Sequence, residues 1–152
     1  MSGCCCDANA PAQERGARRA PNGNLMLLSC SGASNVGQLA NQACVELTRE
    51  GVGKMFCLAG IGGKLSGFVQ SAKDVPEMVV VDGCEVGCAK AIFKEAGLPL
   101  RGYLVLTQEG MAKNKDFDLR RDDIDKVKST IKREAASQAK PGPADQGCCC
   151  SG

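Results

Sequence analysis

The stretch Val79-Val80-Val81-Asp82-Gly83-Cys84-Glu85-Val86-Gly87-Cys88 constrains this chain more than any other. Three β-branched residues favour an extended strand, and Asp-Gly is a turn pair. Beyond it, Ala89, Ile92, Phe93 and Ala96 recur at helical spacing. A strand that ends in a tight turn and continues as a helix is the repeating unit of α/β folds. Here the turn also carries two cysteines, four positions apart.

The same unit recurs along the chain. Leu25-Met26-Leu27-Leu28 is an apolar run ending in a Ser29-Cys30-Ser31-Gly32 turn, and Val36, Ala40, Ala43, Cys44 and Leu47 then stripe a helix from Asn35 to Glu50. Asn35 with Gln38 fits a capping box at its start, and Gly51 fits the stop. Lys54 to Leu58 reads as a second strand. Leu65, Phe68, Val69 and Ala72 outline a helix beyond the Gly60-Ile61-Gly62-Gly63 loop. Met78 to Val81 is the third strand, and the helix after it is stopped by Gly97 and Pro99. Tyr103 to Thr107 is the fourth strand. Ile124, Val127, Ile131 and Ala135 stripe a last helix, with Asp122 and Asp123 suited to its N-terminal dipole. The alternation predicts an α/β fold: a small, doubly wound, mostly parallel four-stranded sheet with helices on both faces. In such folds ligands bind at the carboxyl ends of the strands, where the strand order reverses. The common order 2-1-3-4 would set strand 1 between strands 2 and 3.

At 152 residues the chain is expected to form one domain, over residues 24–137. Residues 1–23 and 138–152 are rich in small and polar residues without apolar periodicity, and read as disordered arms; each carries a cysteine triplet, Cys4-Cys5-Cys6 and Cys148-Cys149-Cys150. Charge is nearly balanced at +2 and aromatics are 3%, so neither a basic face nor a stacking surface for nucleic acid is expected. No apolar run approaches the roughly 18 residues of a membrane span, and the N-terminal stretch lacks a secretory h-region. The expected location is the cytoplasm.

Histidine is absent, while cysteine occurs 11 times. Imidazole bases, Cys-His pairs and Cys₂His₂ zinc sites are therefore excluded, and a metal would have to be held by thiolates. In a reducing compartment this cysteine density points to metal or redox chemistry rather than to a disulfide framework. Cys30, Cys57 and Cys84 each follow a strand, so a parallel sheet delivers them to one edge. Neighbouring strands lie about 4.8 Å apart and tetrahedral zinc needs sulfurs roughly 4 Å apart, so modest convergence would suffice. Cys88 falls in the first turn of a helix, where the dipole is expected to favour the thiolate. Four thiols from three loops could meet around one ion; free cysteine also serves as a small buried hydrophobe.

Other candidates are weaker. Cys44 lies on an apolar helix stripe and reads as core. The terminal triplets could suit soft ions such as Cu(I), or could be tolerated tail sequence. The Gly60–Gly63 cluster with Lys64 lacks P-loop spacing, and the plainer reading is close backbone approach. Asp82 and Glu85 flank the thiols as turn residues, and Lys64 could balance thiolate charge or simply lie on the surface.

Asp82-Gly83-Cys84 with Cys88, together with Cys30-Ser31-Gly32-Ala33-Ser34-Asn35-Val36-Gly37-Gln38-Leu39 and Cys57-Leu58-Ala59-Gly60-Ile61-Gly62-Gly63, resembles the DGC-domain family over roughly residues 24–135. The resemblance implies zinc binding and gives the ligand role to Cys30, Cys57, Cys84 and Cys88; it implies no reaction. The expected function is that of a zinc-binding protein with a Cys₄ site, used in handling or sensing thiophilic ions, and not primarily an enzyme. Its expected partner is the metal ion, without nucleic acid or membrane, and protein partners are left open. Two alternatives stand: a thiol or sulfur-transfer enzyme with Cys88 or Cys84 as nucleophile, and an iron–sulfur cluster on the same cysteines.

Overall fold

A computed structural model describes residues 25–138. The elements in chain order are β1 (Leu25–Ser29), α1 (Asn35–Arg49), β2 (Lys54–Met55), α2 (Leu58–Gly62), α3 (Ser66–Asp74), β3 (Glu77–Asp82), α4 (Cys88–Glu95), β4 (Tyr103–Val105) and α5 (Arg121–Gln138). The expected arms lie outside the described residues, except that Gln138 is the last residue of α5.

The four strands form one parallel sheet in the order β2-β1-β3-β4. β1 and β3 are its centre, paired from Leu25 opposite Glu77 to Ser29 opposite Val81. Central parallel strands are covered on both faces, which is why their sequences are continuous apolar runs rather than alternations. The period of two nevertheless sorts their side chains into two cores. Leu25, Leu27, Val79 and Val81 pack with α1 and α5, whereas Met26, Leu28, Met78 and Val80 pack with the α2–α4 side. The apolar stripes of the helices match: Val36, Ala40, Ala43 and Leu47 with Ile124, Val127 and Ile131 on one face, and Ile61, Ala72, Ala89 and Phe93 on the other. Each large side chain so buried contributes about 1.5–3 kcal/mol. The doubly wound α/β architecture is thus present.

Ion pairs join the two helices of the first face along its rim. Arg121 pairs with Glu46 at 2.7 Å and Lys128 with Glu46 at 3.0 Å, while Lys132 reaches Glu50 at 2.9 Å.

Four local expectations need correction. β2 stops at Met55 instead of running to Leu58, because it is an edge strand with partners on one side only. The Phe56 amide makes one more bond to Leu27 O, and the chain then turns into α2 with Cys57 as its cap. The Gly60–Gly63 stretch is accordingly mostly helical rather than a loop. β4 ends at Val105, and residues Leu106–Gly110 form turns closed by Glu109 N to Val105 O and Met111 N to Leu106 O. Finally, the capping box at α1 does not form. Ser34 is the N-cap residue and its side chain makes no capping bond. Gln38 instead donates to Gly32 O at 3.0 Å, and Asn35 turns to a distant loop. Gly51 does end α1, in the left-handed region at φ 73°.

The strand order places the reversal between β1 and β3. From β1 the chain crosses to β2 on one side, then returns past β1 to β3 on the other. The carboxyl ends of β1 and β3 therefore flank the crevice where α/β folds take ligands.

Candidate metal centre

Cys30 is the first residue beyond β1, and its amide donates to Val81 O at 2.9 Å, which fixes it against the end of β3. It is buried on the α2–α4 face. One strand over, β3 ends at Asp82. Gly83 then passes so close to α1 that a β-carbon there would lie 2.7 Å from the Gly37 amide nitrogen and 2.8 Å from the Val36 carbonyl carbon. Gly37 is packed equally tightly, with the Gly32 backbone 2.8 Å from where its β-carbon would stand. These glycines press the two loops of the crevice onto the start of α1.

Asp82 is not a solvated turn residue. Its side chain is buried and accepts from Ala89 N at 2.8 Å and Lys90 N at 3.0 Å, two unpaired amides of the first turn of α4. The Tyr103 hydroxyl donates to the same carboxylate at 3.0 Å. Asp82 therefore ties β3, β4 and α4 together across the Cys84–Cys88 turn. That turn is closed by Gly87 N to Cys84 O at 3.1 Å and leaves through Gly87 in the left-handed region at φ 67°. Burial, reinforced by the Asp82 carboxylate, holds the Tyr103 hydroxyl well above its ordinary pKa, so Tyr103 serves as a donor.

The four expected thiols reach the same sheet edge in different ways. Cys30 is buried, Cys84 half-buried, and Cys57 and Cys88 exposed. Cys88 opens α4, but its thiol is pushed up rather than down. Loss of solvent around the sulfur is the largest cause although the residue is exposed overall, followed by Cys30, Asp82 and Cys84; its own amide only partly offsets them. Local desolvation, with the Asp82 carboxylate nearby, here outweighs the helix dipole. Cys57 Sγ is engaged differently, accepting from Gly60 N at 3.3 Å as the cap of α2. Cys84 packs against the α1–α5 core and accepts from Lys113 Nζ at 3.3 Å.

The donors are therefore of one soft chemical kind and lie at the ligand edge, which suits a thiophilic ion. Among the described residues, however, no group of three or more Cys, Asp or Glu is gathered at coordinating geometry.

The remaining candidates resolve plainly. Cys44 is fully buried in the α1 core, and burial pushes its thiol up to about 12. It lies beside Ser29, whose buried hydroxyl does not reach full hydrogen-bond geometry with any partner among the described residues. Lys64 pairs with Glu95 at 3.0 Å rather than with a thiol. Gly60 is explained by packing, since a β-carbon there would lie 2.7 Å from the Phe68 ring. Glu85 is exposed, and its own backbone amide holds its carboxyl low, with smaller contributions from Thr107 and Lys113. The terminal triplets lie outside the described residues. Lys113 was not legible as a site residue, because nothing in its flanking sequence points to Cys84.

A cavity of about 390 Å³ adjoins the start of α1, lined in part by Asn35, Met111, Asn114 and Lys126. No helix among the described residues is long and apolar enough to cross a membrane.

No solved structure matches the chain. It is similar to the anaerobic and virulence modulator AnvM of Pseudomonas aeruginosa, with 31% identity over 116 residues, 76% of this chain and 88% of that protein. The family model for the DGC domain matches residues 26–131, an interval that begins inside β1 and ends inside α5 and holds all four edge cysteines. This chain belongs to the DGC domain family.

Proposed function

We propose that the protein binds a thiophilic metal ion, zinc in the first instance, through Cys30, Cys57, Cys84 and Cys88, and uses it in metal handling or sensing rather than in turnover. The observation that supports this reading is the placement of Cys30 directly after β1 and of the Cys84–Cys88 turn directly after β3, at the switch point of the sheet, in a chain without histidine. Four thiolates make a closed zinc site, with no position left for substrate or water. The core on both faces of the sheet is large enough to fold without a metal staple, which argues that the site works rather than stabilises. The similar protein AnvM is named as a modulator, a description that fits sensing more readily than catalysis. A reducing compartment such as the cytoplasm would keep these thiols free.

The test is metal content and competitive zinc affinity of protein purified under reducing conditions. Background binding by the arms is removed by changing Cys4, Cys5, Cys6, Cys148, Cys149 and Cys150 to serine in the full chain. One zinc per chain is expected, with a large loss of affinity in each of C30S, C57S, C84S and C88S. Absence of stoichiometric uptake would sink the proposal, and visible absorption after anaerobic purification would replace zinc by an iron–sulfur cluster on the same ligands.

One observation favours a second reading. Among the described residues a lysine lies on the sulfur of Cys84 and of no other edge thiol, so a thiol-transfer enzyme built on this site would use Cys84 in preference to Cys88, whose thiol is pushed up.

A further inference from the structure

Lys113 stands on an exposed loop, 29 positions from the thiol it touches, yet its position is not arbitrary. Both of its chain neighbours are held by one residue. Asn35 Nδ2 donates to Ala112 O at 2.8 Å, and Asn35 Oδ1 accepts from Asn114 N at 2.7 Å. The Asn35 amide also donates to Asn114 O at 3.2 Å. Two residues on, Lys115 Nζ donates to Ala33 O at 2.6 Å. Residues 112–115 are thereby strapped across the start of α1, and the one side chain between the Asn35 contacts delivers its ammonium to Cys84 Sγ at 3.3 Å.

We propose that Lys113, presented by the Asn35 clamp, is a positioning residue of the metal centre: its ammonium donates to the Cys84 sulfur and offsets the negative charge of a four-thiolate site. This rests on the metal-binding reading above. Four thiolates around a divalent ion leave two net negative charges, and a charge-assisted N–H···S bond from a lysine at one ligand compensates part of that. The same bond limits the rotamers of Cys84, the ligand that faces the opposite core from Cys30. Lys64, the lysine next to the glycine cluster, pairs with Glu95 instead, whereas Lys113 is on the Cys84 sulfur.

The experiment compares zinc affinity and zinc release to a chelator for wild type, K113M, K113R and N35A, in the full chain lacking the terminal triplet thiols. Cobalt(II)-loaded forms are compared by their sulfur-to-metal charge-transfer bands. K113M is expected to lose about tenfold in affinity, the scale of outer-shell partners of metal ligands, and to shift the cobalt band. K113R should retain most of the affinity, and N35A should fall between wild type and K113M. Metal-free K113M should unfold like wild type, because Lys113 is exposed. Unchanged affinity in K113M would overturn the role of Lys113 while leaving the metal site standing. Tighter binding in K113M would also overturn it, since the lysine would then compete with the metal for Cys84. A wild type that takes up no zinc would overturn both the site and the role.

Discussion

The Asp82 carboxylate accepts a hydrogen bond from the Ala89 amide at 2.8 Å, spanning the turn that carries Cys84 and Cys88. The aspartate at the end of the central strand thus caps the helix after the turn. The two thiols between them are held in a closed segment rather than a free loop. Asp82→Ala would leave two helix amides and the Tyr103 hydroxyl without their acceptor. It should cost about 2–3 kcal/mol, measured by urea denaturation, and should loosen any metal bound at Cys84 and Cys88. Tyr103→Phe should cost about 1 kcal/mol, having only one bond to lose. If D82A matched wild type in stability, the capping role would be wrong.

Gly83→Ala tests the packing of the turn against α1. The added β-carbon would meet backbone atoms of Val36 and Gly37 at 2.7–2.8 Å, which no side-chain rotation can relieve. A loss of about 2 kcal/mol is expected, with the urea midpoint lowered and the m-value unchanged. Gly67→Ala is the control, since nothing lies within 4 Å of its β-carbon position.

Acid stability should depend on Glu46. Hydrogen bonds from Arg121 first, then Lys128 and Gln42, hold its carboxyl down at about 2 against an ordinary 4.5. A depressed carboxylate stabilises the fold fully above its unfolded value, and that stabilisation disappears as pH falls towards the folded value. Wild type should therefore exceed E46Q in stability at neutral pH. The gap should begin to close below pH 4.5 and vanish near pH 2. Thermal melts across that range measure it, and a gap independent of pH would refute the linkage.

Alkylation should separate the cysteines by environment. Brief labelling of metal-free native protein, read by mass spectrometry, should modify exposed Cys57 first, ahead of Cys88, whose thiol is pushed up, and of buried Cys30, and should leave Cys44 untouched until unfolding. Cys44→Ser should leave zinc uptake unchanged. Equal loss of metal in C44S and C84S would show that the ligand set is misassigned.

The sequence by itself determined the α/β class, the two-faced sheet and the delivery of Cys30, Cys57 and Cys84 to one edge. Strands buried on both faces must be apolar runs, and covering helices must carry a stripe, so both signals are local and periodic. It also marked Cys44 as core, for the same reason. What lay beyond it were contacts without periodicity. Asn35 reads locally as a helix cap, yet its side chain serves residues 77 and 79 positions away. Asp82 reads as a turn residue, and only the placement of α4 and β4 around it makes it a buried cap. Cys88 occupies the helix start that favours a thiolate. The fold turns that expectation round: local desolvation first, then groups that other segments bring near, push the Cys88 thiol up. Lys113 met Cys84 through the same folding of distant segments. Local pattern decides where a thiol stands along the chain. Its charge and its neighbours depend on which loops the sheet order brings to that edge, and those interactions act through space.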